Sequence, residues 1–248
     1  MKTSELIHEA RVNVLRDIST AVGGSPVDDA IWADSTLALY LRDAESKFAS
    51  QTLCLRDSIT PAVTQITLEA GVSAYPHHKA IKVVYGAVYD GKNHLNRTGY
   101  NTRFGGVGDL NPGIQRVESE GTGTPSIFYT DKDTNYIGFY PIPGPQEDGK
   151  IVTLRVARLP YQPISIARLE SESEIPEEYH LDLVEWACWR ALRNHDADLE
   201  STGESIQMLM AKASSHKNRF EAAIKECLRD QKRHTVQHVQ FAPNANWS

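Results

Sequence analysis

Residues Ile175 to Glu200 constrain this chain more than any other stretch. Pro176 suits the first position of a helix, and Glu177 and Glu178 place negative charge at the positive end of its dipole. Leu181, Val184, Cys188, Ala191 and His195 recur at three- and four-residue steps, which predicts one apolar stripe. Leu183, Trp186 and Trp189 predict a second stripe beside it. A helix apolar on two sides needs two neighbours. Its acidic residues form no catalytic arrangement, so the pattern points to assembly rather than chemistry.

Around this helix the chain reads as three parts: helical, strand-rich, then helical. Leu6, Ala10, Val14 and Ile18 step by four and predict a first helix, ended by Gly23-Gly24. Ser25-Pro26, followed by Asp28 and Asp29, is a restart signal with an N-cap serine. Leu37, Leu41, Ala44 and Phe48 mark a second apolar face, which Asp34 can cap separately; Trp32 falls either inside a long helix or at a break. From about residue 60 the period changes. Thr64, Ile66 and Leu68 alternate, and Ile81–Tyr89 is rich in Val, Ile and Tyr ahead of the turn dipeptide Asp90-Gly91. Ser126–Thr130 and Tyr136–Tyr140 flank a polar turn and predict a hairpin, and Lys150–Arg158 alternates again. The glycine-rich stretch Asn93–Pro112 reads as a long loop. After residue 175 the helical period returns. Gly203 separates the opening helix from a last long one, whose predicted apolar face is Ile206, Met210, Ala213, Phe220, Ile224 and Leu228.

The expected fold is therefore α+β. An antiparallel helical bundle is built from the N- and C-terminal helices (1–58 and 166–235), because neither part alone can bury its faces. An antiparallel β domain, a small sandwich or barrel, is inserted at 59–165. An extended C-terminal tail covers 236–248; its Pro, Asn and Gln content predicts disorder in the free subunit and order in an assembly.

With 40% hydrophobic and 23% charged residues among 248, a packed core is expected and global disorder is not. A net charge of −6 argues against a general nucleic-acid binder. Three cysteines, Cys54, Cys188 and Cys227, are an odd number, and two sit in helical patterns as small apolar groups. That is the usage of a reducing compartment. The N-terminus reads as an amphipathic start rather than a signal peptide. No apolar run approaches the ~18 residues that span a bilayer, so no membrane is expected. Asn96-Arg97-Thr98 matches the glycosylation tripeptide by chance.

Candidate chemistry fails on context. Gly105-Gly106-Val107-Gly108 and Gly121-Thr122-Gly123-Thr124-Pro125 could cradle phosphate, but neither precedes a Lys-Ser/Thr pair or opens a helix. His77-His78 and the His234/His238 pair lack the further ligands that a zinc site needs. Glu170, Glu172, Glu174, Glu177 and Glu178 lie in a Ser-Glu alternation that reads as a solvated linker. Asp196 and Asp198 flank a helix end without a calcium loop. There is no Gly-x-Ser-x-Gly elbow and no catalytic cysteine signature. No cofactor, metal site or enzymatic activity is expected.

Charge is distributed unevenly. Residues 166–210 hold 11 acidic and 3 basic side chains, whereas 211–233 hold 7 basic and 3 acidic. Neighbouring helices of opposite sign can pair within a subunit, or head to tail between subunits of a ring.

The run Ile175-Pro176-Glu177-Glu178-Tyr179 with Leu183–Asp198 resembles the penultimate helix of tailed-phage head-to-tail adaptors, the tail tubular A and gatekeeper-ring type proteins. Ala213–Glu221 resembles their last helix. Gly123–Tyr129 with Ile137–Pro143 resembles the hairpin of their inserted β domain, and Leu37–Phe48 fits the same plan. The resemblance implies a non-enzymatic virion protein made in the bacterial host cytoplasm. It implies a ring, with 12 copies in that family, beneath the portal protein, with a downstream tail protein (nozzle, stopper or fibre) beyond it. Double-stranded DNA would pass through the lumen unread. It also implies portal contacts from the C-terminal segment, here Val236, Val239, Phe241, Pro243 and Trp247. Trp186, Trp189, His195 and Phe220 are the expected interface or core residues. The alternatives are a soluble enzyme or ligand-binding module with the same layout, or another neck ring such as a stopper.

Overall fold

The computed structural model describes residues 1–15, 31–100, 121–194 and 206–237. The chain forms two compact units: Met1–Leu55 together with Pro160–Ser248, and Arg56–Leu159. Ile18, Gly23-Gly24, the Ser25-Pro26 restart, the phosphate-loop candidate at 105–108, His195, Asp196, Asp198 and Gly203 lie outside the described residues.

The first unit is helical. Helix α1 spans Thr3–Glu9 and runs on as a π-helical turn, Ala10–Leu15. Leu6 and Ala10 of the expected stripe are buried. Helix α2 spans Asp34–Thr52. It starts with Ala33 at the N-cap, so Asp34 is its first residue rather than its cap. Trp32 lies before the helix and is buried there, which resolves the choice in favour of a break.

Helix α3 spans His180–Asn194, preceded by a 3-10 turn at Glu177–Tyr179. Pro176 caps that turn rather than opening the α-helix. The expected stripe needs one correction. Leu181 is 56% exposed, and His180 takes the buried position. Its imidazole is fixed by Met1 and by the Ile175 carbonyl, at 2.7 Å from each. Val184, Cys188 and Ala191 are buried as expected, as are Leu183 and Trp186 of the second stripe.

Helix α4 spans Ile206–Gln237. Its buried residues are Leu209, Ala213, Phe220, Ala223, Ile224 and Cys227, whereas Met210 is 55% and Leu228 36% exposed. The seam therefore repeats in sevens through Ala213, Phe220 and Cys227, a narrower stripe than the expected face. Helix α3 packs against both α2 and α4, and α2 also touches α4. Cys188 and Cys227 are buried and free.

The second unit is built on one curled, half-barrel sheet. Its strands are β1 (Arg56–Asp57), β2 (Gln65–Thr67), β3 (Ala74–Pro76), β4 (Ile81–Tyr89), β5 (Asn93–Arg97), β6 (Thr122–Gly123), β7 (Ile127–Tyr129), β8 (Tyr136–Tyr140), β9 (Ile142–Pro143) and β10 (Ile151–Arg158). Eight of them form a sheet in the order β1-β10-β4-β5-β7-β8-β3, with β2 also paired to β10. The turn at Asp90 and Gly91 has φ of 48° and 67°, as that dipeptide predicts. The hairpin of β7 and β8 is present.

Three expectations change. Pairing is not wholly antiparallel, because β5 runs parallel to β7 and β6 parallel to β9. The first five residues of the expected Asn93–Pro112 loop are strand β5. Thr64 ends a helical turn, Pro61–Thr64, in place of starting a strand.

Alternation holds in β10, where Val152, Leu154 and Val156 point inward. It slips in β4, whose inward residues are Ile81, Val84, Ala87 and Tyr89. The register with β10 skips Tyr85 and Lys82. These two residues are bulges, and bulges bend and coil a strand. Gly138 faces Tyr129 across β7 and β8, and a Cβ there would overlap the tyrosine ring.

Candidate assembly surface

The surface with the most chemistry in the helical unit lies along α3 and α4. It begins at an aromatic cluster. Phe48 of α2 meets Tyr179 at 5.1 Å and Phe220 of α4 at 6.1 Å between centroids. Trp186 of α3 lies 4.9 Å from Phe220 and 4.2 Å from Trp189. The heptad-like spacing of α4 puts Phe220 at the crossing point, and the three-residue step from Trp186 to Trp189 keeps both indoles on one side of α3. Each such ring pair adds ~0.5–1.5 kcal/mol beyond the area it buries.

Polar side chains tie the cluster off. Glu185 of α3 accepts from Arg219 of α4 at 3.1 Å and pairs with His216 beside it. Burial pushes the Glu185 carboxyl up, but these two partners overcome it and hold it below its ordinary value. One turn earlier, Asp182 has no such partners. Burial, with Glu185 and Glu226 nearby, pushes it up to about 6. Asp43 of α2 receives Trp186 Nε1 and Arg190 Nη1, each at 2.7 Å.

Glu45 of α2 is fully buried. It accepts from the Ile164 amide at 2.9 Å and the Ser173 hydroxyl at 2.7 Å. Burial raises its pKa against the opposing pull of those bonds. The segment read as a solvated linker is thus anchored at Ser173, while Glu170, Glu172, Glu177 and Glu178 remain exposed.

Between the end of α3 and the start of α4 lies a groove of about 280 Å³, lined by Trp189, Leu192, Arg193, Met210, Ala213 and Lys217 among others. Arg193 and Lys217 stand over the Trp189 ring at 5.5 and 5.7 Å.

Of the sequence-predicted residues, Trp186 and Phe220 are buried, and Trp189 is half-buried on the groove. Val236 lies within α4 rather than in an extended tail. Val239, Phe241, Pro243 and Trp247 lie outside the described residues, as do the side chains of His234 and His238. The sequence reading singles out neither Asp43 nor Glu45 for a site role, whereas Glu185 and His216 lie in the stretches that resemble the two last helices of the adaptors. Two of them carry a legible signal: Glu45 falls on the Leu41–Phe48 stripe, and His216 on the Ala213–Phe220 stripe.

Among the described residues, no group of three or more His, Cys, Asp or Glu side chains could hold a metal ion. No described helix is long and apolar enough to cross a membrane. A surface of stacked aromatics, cross-helix ion pairs and one cation-rimmed apolar groove suits protein contacts. The model of the SU10 adaptor protein family matches residues 1–244. The chain belongs to that family. The SU10 adaptor family is a structural phage family and not an enzyme family. No curated protein matches the chain. Membership of the SU10 adaptor family gives the helical surface its context: it belongs to a structural part of a phage particle.

Proposed function

We propose that this protein is a head-to-tail adaptor that forms a ring between portal and tail. The observation that carries the reading is the family match over residues 1–244, nearly the whole chain. In this reading the helices, as an antiparallel bundle, make the ring wall. About 12 copies close the ring, the cyclic arrangement that a repeated head-to-tail contact generates. The C-terminal segment with Val236, Val239, Phe241, Pro243 and Trp247 docks on the portal protein. The β unit meets the downstream tail protein. Double-stranded DNA passes through the lumen without sequence recognition, so a net charge of −6 is no obstacle. The protein is made in the host cytoplasm and ends in the virion neck.

Packing of α3 against α1, α2 and α4 makes the helices one bundle, which supports the wall assignment. Sedimentation velocity tests the reading. The protein alone sediments as a monomer or loose oligomer, and mixed with purified portal it moves with the portal as one large species. A monodisperse small oligomer that ignores the portal, and whose melting is raised by a small ligand, supports the alternative of a ligand-binding module.

A further inference from the structure

Among the described residues, nothing fills the groove between α3 and α4. Its floor is apolar, made by Trp189, Leu192 and Ala213, and Met210 stands at its edge more than half exposed. Its rim is cationic, through Arg193 and Lys217. Lys217 pairs with the half-buried Glu221 on its own helix at 3.7 Å and also stands over Trp189. A site with an apolar floor and a positive rim takes apolar side chains flanked by carboxylates.

The chain carries such a segment. Ile166 and Leu169 are exposed, and Glu170, Glu172, Glu177 and Glu178 follow them on the surface. Two basic residues stand at the segment. Lys2 pairs with Glu170 at 2.8 Å on the exposed surface, which leaves Glu172, Glu177 and Glu178 to carry most of its negative charge. Arg168 is turned back onto Gln162 and the Pro163 carbonyl. The segment is also held in shape. The Thr3 and Ser4 amides donate to the Ser171 and Leu169 carbonyls at 2.9 Å, and Ser173 is bound to Glu45. A pre-shaped segment loses little freedom on docking.

It cannot fill its own groove. The segment leads into the first turn of α3, and the groove lies at the last turn. From His180 to Arg193 the helix rises roughly 20 Å. We infer that the α3–α4 groove of one copy receives the acidic, leucine-bearing segment 166–178 of the next copy. The inference rests on the ring reading and gives that ring its subunit contact. The contact is heterologous, and repetition about an axis closes it.

Charge exchange tests it. One variant carries Arg193→Glu and Lys217→Glu; a second carries Glu170→Lys and Glu172→Lys. Each keeps a wild-type far-UV spectrum and melts within a few degrees of wild type, and each alone needs about ten-fold or more protein to assemble on the portal. Mixed in equal amounts they assemble at wild-type concentration, because each groove then meets a segment of opposite charge. A double variant with Leu169→Cys in the segment and Ser214→Cys at a serine that lines the groove, assembled and bridged by a short thiol cross-linker, gives a ladder of linked copies. Variants that assemble normally alone, a mixture that fails where wild type succeeds, or assembled double-cysteine protein without the ladder overturns the inference and leaves the ring standing. A groove variant that forms rings but releases the portal assigns the groove to the portal, and also overturns it. Wild-type protein that never forms a ring overturns the ring reading and the inference together.

Discussion

Trp186 Nε1 donates to Asp43 Oδ2 at 2.7 Å, across 143 residues of sequence. The same oxygen receives Arg190 Nη1, so α2 and α3 are pinned at one carboxylate. The indole carries this bond while it packs on Phe220 and Trp189, and Lys47 Nζ covers it at 3.8 Å. It joins the apolar cluster to the surface that the adaptor presents.

Trp186→Ala therefore removes a buried ring and one of the two donors to Asp43. Loss of a buried indole costs ~3–5 kcal/mol. Urea denaturation followed by circular dichroism reads this as a lower midpoint, and assembly on the portal falls with it. An unchanged midpoint places the indole outside the core.

Glu45→Ala leaves the Ile164 amide and Ser173 hydroxyl buried without their acceptor. Orphaned buried donors cost ~1–3 kcal/mol each. The effect is local to the segment that Glu45 holds. Amide exchange faster at residues 162–175 than in α4 is the expected result; uniform loss of protection across the helical unit contradicts it.

Asp182 and Glu185 set opposite pH dependences one turn apart. Asp182, raised to about 6, contributes stability that is complete below its unfolded value near 4 and is lost as pH rises through 6. Asp182→Asn thus stabilises the protein at pH 7.5 by ~1 kcal/mol, after allowance for partial exposure, and the gain vanishes at pH 4. Glu185 is lowered, so its contribution is present above the unfolded carboxylate range and fades as pH falls below it. Glu185→Gln destabilises at pH 7.5 and less at pH 3. Melting temperatures of both variants at the three pH values check the signs.

Gly138→Ala drives a methyl into the Tyr129 ring in the β7–β8 hairpin. Overpacking of this kind costs ~1–3 kcal/mol. Gly138→Ala combined with Tyr129→Ala recovers part of the loss, because the overlapping ring is gone. Equal loss in the single and double variants would show that the backbone, and not the ring, demands glycine here.

What sequence made legible was local periodicity. The inward alternation of Val152, Leu154 and Val156 and the turn at Asp90-Gly91 needed no tertiary information. The paired stripes of α3 were legible too, through Val184, Cys188 and Ala191 and through Leu183 and Trp186, but not at Leu181. What escaped depends on distant neighbours. A helix as polar as α4 offers several faces of similar hydropathy, and Phe48, Trp186 and Tyr179 select the one through Phe220 and Cys227 over the one through Met210 and Leu228. The bulges at Lys82 and Tyr85 are register events between strands far apart in sequence, invisible in β4 alone. The parallel pairing of β5 with β7 is likewise a long-range choice. At the assembly surface the aromatic residues were legible by type and spacing. Glu45 was visible only as a polar residue on an apolar stripe, and His216 as that and as part of the Ala213–Glu221 resemblance; both gain meaning once their partners, Ser173 and Glu185, are in place.

The central claim is that this chain makes a ring that joins portal to tail. Negative-stain electron microscopy of the purified protein mixed with its portal tests it most directly. The account predicts class averages with a rotationally symmetric ring capping the portal, its copy number near 12 and its channel open along the portal axis. Bare portals beside free monomers, at protein concentrations well above those of the portal, would contradict it.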